Sequence, residues 1–241
     1  MAKEIFDRTC ALVGLLLLSP LLVLVALLVW LQDFRSPFYV APRAARGGGS
    51  FRMVKLRSMI ANADRLGAAS TAGDDARITA VGRFIRRWKI DELSQLWNVL
   101  LGDMSLVGPR PQVLDEVATY TVEERGLLAV KPGITDFSSI VFADEGEILR
   151  GAPDPDLAYR RLIRPWKSRL GLFYVAQRGF GLDLALILLT LLRIVAPARA
   201  LAGVGRLLER RGAPAELVRV ARRSVPLEPS AIPGEDGPSR A

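Results

Sequence analysis

The sequence predicts a mostly helical chain with a small strand component, held at a membrane. Three observations lead there: an uncharged apolar run from Thr9 to Leu31, an amphipathic segment from Lys89 to Leu101, and a single short stretch, Phe51–Leu56, with strand-like alternation. A length of 241 residues suits one domain with appendages.

Taken in order, Thr9–Leu31 as a helix would extend roughly 35 Å, enough to cross a bilayer core. It does not read as a cleaved signal peptide: the run is too long, no A-x-A-like site follows, and Lys3 and Arg8 are offset by Glu4 and Asp7. Ser19-Pro20 falls in its middle, and proline removes a donor and crowds the preceding turn. A kinked spanning helix and a helix–break–helix that enters and leaves on one face are both compatible with it. Arg35, Arg43, Arg46, Arg52, Lys55 and Arg57 follow, which marks that side as cytoplasmic.

Residues 33–52, with prolines, arginines and Gly47-Gly48-Gly49, read as a loop. Ser58–Leu66 is a short helix candidate, and 67–77 a polar loop. In the helix from Lys89 to Leu101, Ile90, Leu93, Leu96, Trp97, Leu100 and Leu101 share one arc. Asp91, Ser94, Gln95 and Asn98 share the other, with Glu92 at its edge. Gly102 ends the helix. A second helix is expected over Leu114–Ala129, a turn at 130–135 and an acidic loop over 136–156. Leu157–Gln177 reads as a helix with a kink at Pro165. Leu182–Val195 is too short to span and fits an interfacial helix. Residues 199–223 suggest a basic amphipathic surface helix or pair against anionic lipid, and 224–241 a disordered tail.

Composition narrows the chemistry. There is no histidine, so imidazole-based catalysis is closed. The one cysteine, Cys10, lies in the apolar run, which closes thiolate metal sites and disulfides. Reacting groups must be carboxylates, hydroxyls, lysines, arginines or a hard metal ion, Mg²⁺ or Mn²⁺. The formal charge of +8 points to nucleic acid, anionic lipid or phosphorylated substrates. The apolar run favours lipid, and few aromatics lie among the C-terminal arginines to stack bases, so no nucleic-acid partner is expected.

The stretch Ile78–Pro111 is the most informative. Arg83, Arg86, Arg87 and Lys89 lead into Asp91-Glu92, and the helix ends in the turn Gly108-Pro109-Arg110-Pro111. The two carboxylates also fit an ordinary acidic first turn that complements the helix dipole. Arg110 between two prolines is a held guanidinium matched to phosphate oxygens, or a structural arginine bridging a turn. Lys55 and Arg57 are phosphate ligands or surface charges.

These segments resemble the bacterial sugar transferases that act as monotopic polyprenyl-phosphate phosphoglycosyl transferases. The resemblance runs through the apolar segment with Ser19-Pro20, residues 51–59, 78–87, 90–111, 130–135 and 182–192, covering roughly residues 3–195. It implies a small α/β fold, mostly helical, with an N-terminal re-entrant (helix-break-helix) membrane hairpin and interfacial amphipathic helices. The division implied is a membrane segment over 1–35, a catalytic domain over 36–198, basic surface helices over 199–223 and the tail. The reaction implied moves a phosphosugar from a UDP-sugar to polyprenyl phosphate at the cytoplasmic face of the bacterial inner membrane. It releases UMP and starts glycan assembly. Asp91 would be the nucleophile, forming a covalent aspartyl phosphosugar, and would also touch Mg²⁺. Glu92 would complete the dyad, by metal support or proton handling, and Arg110, Lys55 and Arg57 would bind phosphate. The sequence departs from the family after Pro-Gly-Ile-Thr: Asp136-Phe137-Ser138-Ser139-Ile140 stands where a Gly and a later Gly-Arg are usual, and Arg150 is a weak substitute.

Overall fold

The structure is a computed structural model that describes residues 2–235. Helix α1 (Ala2–Leu31) is the one described helix long and apolar enough to cross a membrane. It runs unbroken through Pro20, so the helix–break–helix expected at Ser19-Pro20 is not seen. Pro20 has no N–H for the carbonyl of Leu16, and the Ser19 hydroxyl donates to that oxygen at 2.8 Å instead.

Both halves of α1 lie on one globular body. Ala11 packs among Phe51, Met53, Leu96, Val99 and Met104. Val25 and Val29 pack with Leu56, Ile85 and Ile90. Polar contacts fasten both ends. At the start, Lys3 bonds Asp183, Lys131 meets Glu4 at 2.6 Å and Ser105 donates to Asp7 at 2.7 Å. Just past its end, Arg57 meets Asp33. The opposite surface of the helix, including Leu16, Leu17, Val23 and Leu24, is exposed.

Strands β1 (Phe38–Ala44) and β2 (Ser50–Leu56) form an antiparallel hairpin in which Tyr39 faces Lys55 and Pro42 faces Arg52. β1 falls where the sequence reads as loop, because Pro42 masks the alternation; in a two-stranded ribbon both strands are edges and tolerate proline. Gly47 and Gly48, at φ 78 and 86, make the turn. The helix expected over Ser58–Leu66 is only one short turn at Ala63–Arg65.

The central segment contains α2 (Ala80–Arg87), α3 (Ile90–Leu93) and α4 (Leu96–Leu101). Thr79 caps α2 by accepting from the Gly82 amide at 2.9 Å, and Lys89, at φ 56, turns the chain into α3. Here burial falls on both arcs, with Ile90 and Leu96 inside as well as the polar side chains. Ser94, Gln95 and Asn98 are enclosed, whereas Trp97 and Leu101 are half exposed. Asn98 fixes α4 to β2, accepting from the Val54 amide at 2.9 Å and donating to the Arg52 carbonyl at 2.8 Å.

Strand β3 (Ser105–Val107) pairs in parallel with β4 (Gly133–Thr135). The expected helix over 114–129 shrinks to α5 (Leu114–Ala118) and a tight turn at 124–129. The acidic loop contains α6 (Phe137–Val141) and α7 (Glu145–Ile148). α8 (Pro155–Ala158), a π segment at 159–163 and α9 (Arg164–Gln177) run on without a break, so the helix expected over 157–177 is present, with its irregularity in the π segment just before Pro165.

Helices α10 (Phe180–Val195), α11 (Pro197–Arg210) and α12 (Ala215–Arg222) close the main core around Phe137, Ile140, Leu170, Leu186, Val204 and Leu208. α10 keeps Leu182 and Leu186 inside and leaves Phe180, Leu188 and Leu191 outside, and Phe180 stacks edge-on against Phe6 of α1. The segment after Ser224 is held as a strap as far as it is described. Ser230 bonds the Arg161 carbonyl at 3.1 Å, Arg169 bonds Ser230 and Ala231, and Ile232 is buried. The rest of the expected tail, 236–241, lies outside the described residues.

Candidate active site

Three chain segments converge on the dyad. β2 supplies Lys55, the start of α3 supplies Asp91 and Glu92, and the turn after β3 supplies Arg110. That turn is anchored by backbone alone. The Gly108 amide donates to the Thr135 carbonyl and the Gly133 amide to the Pro109 carbonyl, each at 2.9 Å. The two glycines approach so closely that a Cβ on Gly133 would fall 2.0 Å from the Gly108 nitrogen. The Gly-Pro-Arg-Pro and Pro-Gly-Ile-Thr motifs are thus two sides of one support.

On that support Arg110 Nη2 reaches Glu92 Oε1 at 2.7 Å, and Lys55 Nζ lies 3.8 Å from the same oxygen. Burial alone would raise Glu92, but Arg110, Lys55 and Lys89 outweigh it and hold the carboxyl well below the usual range. Glu92 in turn pushes Arg110 upward, against burial. Burial pushes Lys55 down to about 8, and the Arg110 charge adds to the effect.

Asp91 is the opposite case. It is buried, its Oδ1 has no hydrogen-bond partner among the described residues, and it has no ion pair there. Burial raises its pKa, Lys55 opposes this and Glu92 reinforces it. Arg86, held by the Ser58 hydroxyl at 2.9 Å, also acts on Asp91, and burial lowers the Arg86 pKa. Two adjacent carboxylates are therefore pulled apart. Glu92 is drawn toward its ionised form and engaged through Oε1, whereas burial disfavours ionisation of Asp91, whose Oδ1 is enclosed without a partner. Such a split within a pair assigns different chemical roles to its members.

Arg57 is not brought to this cluster. It forks onto Asp33 with two 2.6 Å bonds and donates Nε to the Ser36 carbonyl at 2.9 Å. Those bonds draw the Asp33 carboxyl down to about 2. Arg57 locks the exit of α1 to the hairpin. Arg150 is exposed and paired with Glu147 at 2.7 Å. Ser19 and Pro20 lie exposed within α1.

For a metal, the described residues contain no group of three or more His, Cys, Asp or Glu side chains placed to share an ion. The unengaged Asp91 oxygen fits the one-carboxylate, phosphate-rich ligation that Mg²⁺ accepts. Sequence reasoning missed Glu145, which acts on Arg110 and bonds Lys167, and Glu116 and Tyr159 nearby. They come from loop and short-helix segments with no local signal.

The chain is similar in sequence to several known proteins. The "Undecaprenyl-phosphate glucose phosphotransferase" of Komagataeibacter xylinus is 39% identical over 80% of this chain and 36% of its own length. The "UDP-N-acetylgalactosamine-undecaprenyl-phosphate N-acetylgalactosaminephosphotransferase" of Aeromonas hydrophila is 33% identical over 74% of this chain and 44% of its own. The "Undecaprenyl-phosphate galactose phosphotransferase" of Salmonella typhimurium is 40% identical over 55% of this chain and 31% of its own. The chain thus spans less than half the length of these three relatives. Residues 1–197 match the family described as bacterial sugar transferase, and this chain belongs to that family.

Proposed function

We propose that the chain transfers a phosphosugar from a UDP-sugar to a polyprenyl phosphate, through a covalent intermediate on Asp91. The observation that carries the reading is the split dyad. A buried carboxylate oxygen without a hydrogen-bond partner stands beside a carboxylate that fixes two cations where phosphate charge would gather. An Asp91 oxygen attacks the β-phosphorus, and the bond from that phosphorus to the bridging oxygen breaks. UMP leaves with that oxygen and the electron pair, and the sugar phosphate stays on Asp91 as an acyl phosphate. A phosphate oxygen of the polyprenyl phosphate then attacks the same phosphorus, and the Asp91 carboxylate departs. Each step moves one phosphoryl group and needs no proton-transfer base, in keeping with a chain that lacks histidine.

Glu92, kept ionised by Arg110 and Lys55, is best suited to positioning those cations rather than exchanging a proton. Arg110 and Lys55 bind the diphosphate. When bound, Mg²⁺ would screen the diphosphate and stabilise the leaving UMP; Asp91 is the side chain placed to touch it. Polyprenyl phosphate as acceptor is supported by the three relatives, each named for undecaprenyl phosphate.

Fastening of both ends of α1 to one body supports a helix that enters and leaves the membrane on one face, the cytoplasmic one by its arginines. There a water-soluble nucleotide sugar and a headgroup-level phosphate meet without leaving their own phases. The test is a labelled UDP-sugar mixed with purified protein. Wild type should retain a phosphosugar adduct and Asp91→Asn should not. An adduct of undiminished yield in that variant removes Asp91 as nucleophile, and full activity in excess chelator removes the metal.

A further inference from the structure

Among the described residues three enclosed side-chain polar atoms lack a hydrogen-bond partner, and two of them lie on one arc of one helical segment: Asp91 Oδ1 and Gln95 Nε2. The other polar side chains of that arc are satisfied. The Ser94 hydroxyl donates to the Asp91 carbonyl at 3.1 Å, and the Asn98 side chain joins the Val54 amide and the Arg52 carbonyl. Gln95 follows Asp91 by one helical turn and is 1% exposed. One orphan is an acceptor and the other a donor. An enclosed polar group without a partner costs stability, so two of opposite character one turn apart call for a common cause.

The second carboxylate of the dyad is already occupied, because Glu92 Oε1 is held by Arg110 and Lys55. Lys and Arg side chains offer no acceptor to an amide N–H. Since Asp91 Oδ1 is enclosed, the oxygen that meets phosphorus is Oδ2, and Oδ1 becomes the carbonyl oxygen of the acyl phosphate. On discharge a phosphate oxygen of the acceptor bonds the phosphorus, the phosphorus–Oδ2 bond breaks, and its electron pair returns to the carboxylate. Negative charge then reappears on Oδ1 as well as on Oδ2. An N–H at Oδ1 would hold the carboxylate in one orientation during attack and stabilise the charge as it returns. Hydrogen bonds to a charged acceptor are stronger than those to a neutral carbonyl, so discharge gains more than attack.

We infer that Gln95 is a positioning residue of the reaction, its Nε2 donating to Asp91 Oδ1 once the donor draws Oδ2 toward phosphorus. The inference rests on Asp91 as the nucleophile. The experiment uses the full chain in detergent and Gln95→Met, which keeps the length of the side chain and removes the donor. Adduct is formed with UDP-glucose, UDP-galactose or UDP-N-acetylglucosamine labelled in the sugar phosphate, whichever yields most. Undecaprenyl phosphate is then added and the loss of label from the protein is timed. Removing an orphan amide relieves the resting fold, so Gln95→Met should melt at or above the wild-type temperature. The UDP-sugar concentration that half-saturates adduct formation should stay within about twofold of wild type. Discharge should slow by about tenfold or more. If Gln95→Met does not fold, Gln95→Leu is read the same way.

Discharge at the wild-type rate in the folded variant overturns the inference and leaves Asp91 as nucleophile. So does slow discharge that tracks a fall in melting temperature, which would make Gln95 a support of the fold only. A several-fold rise in the half-saturating UDP-sugar concentration with discharge unchanged would move Gln95 to donor binding and overturn the inference as well. Wild type that forms no Asp91 adduct with any of the three donors would overturn the inference together with the reading it rests on.

Discussion

Replacing Arg110 with Met tests the division of labour in the dyad. The substitution keeps the length of the side chain and removes its charge. Glu92 then loses a 2.7 Å charge-assisted bond and retains only Lys55 at 3.8 Å, with its carboxylate side chain 15% exposed. Removing one partner of a buried pair costs about 3–5 kcal/mol, and the 30% exposure of Arg110 argues for the lower end, about 3 kcal/mol. For a chain of this size that corresponds to a fall of about 6–12 °C in melting temperature.

The double variant Arg110→Met, Glu92→Gln removes the stranded charge and should recover about half of that loss or more, without restoring UMP release. Thermal melts at neutral pH, together with a UMP-release assay, read both quantities. The Glu92 carboxyl lies below its unfolded value, so the pair's stabilising effect is present above the ordinary Glu pKa and fades as pH falls toward the folded one. The gap between wild type and Arg110→Met should accordingly narrow on acidification. A single variant that melts within about 1 °C of wild type would refute the reasoning, as would a double variant no more stable than the single.

The pH dependence of turnover should be narrow. Asp91 must ionise to attack and is raised by burial, so the acid limb should lie above the ordinary Asp value. Lys55 is charged below about 8 and neutral above it, so donor binding should weaken through that pH; Lys55→Arg should move the alkaline limb upward, and an unchanged limb would count against Lys55. Ser19→Ala removes the hydroxyl bonded to the Leu16 carbonyl and should cost about 1 kcal/mol in a bilayer-like medium, with Ser19→Thr close to wild type; equal melting of all three would deny the hydroxyl this role. Arg57→Ala frees Asp33 and should cost about 2 kcal/mol while leaving the yield of Asp91 adduct per folded molecule near wild type; a lost adduct in a fully folded Arg57→Ala would return Arg57 to phosphate binding.

Legibility of the chain followed the range of the interactions. The apolar run, the caps and the motif 91–111 are local and could be read directly. β1 could not, because Pro42 is tolerated only through the edge position that pairing with β2 creates. The expected helix over 157–177 is present, and only the form of its irregularity, a π segment just before Pro165, was not legible. The Lys89–Leu101 segment gave the right arcs, but burial takes in the polar one as well as Ile90 and Leu96. Asn98 and Ser94 meet the backbone of β2, and Trp97 and Leu101 face outward. Inward-apolar patterning presumes water on every side, and a protein against lipid is released from that rule. Of the site, Asp91, Glu92, Lys55 and Arg110 were legible by type. Arg57 was not separable from Lys55 by sequence, since it follows directly on the strand that carries Lys55; the position of Asp33 just past α1 distinguishes them.

The contacts of α1 bear on more than anchoring. Its first turns hold Asp183, Lys131 and Ser105, and Ser105 begins the strand that leads into Gly108 and Arg110. Its later half packs on Ile90 and Leu56, immediate neighbours of Asp91 and Lys55. The end of the helix, through Asp33, holds Arg57 two residues beyond Lys55. Each segment that carries a dyad contact is therefore braced by α1 at a separate point along its length. A simple transmembrane rod, with one end drawn to the far side, would forfeit one set of these contacts and loosen either the Lys55 side or the Arg110 side of the cluster. On the proposed one-face topology a cysteine placed at residue 2 should be labelled from the cytoplasmic side only, and periplasmic labelling in an active protein would overturn that topology.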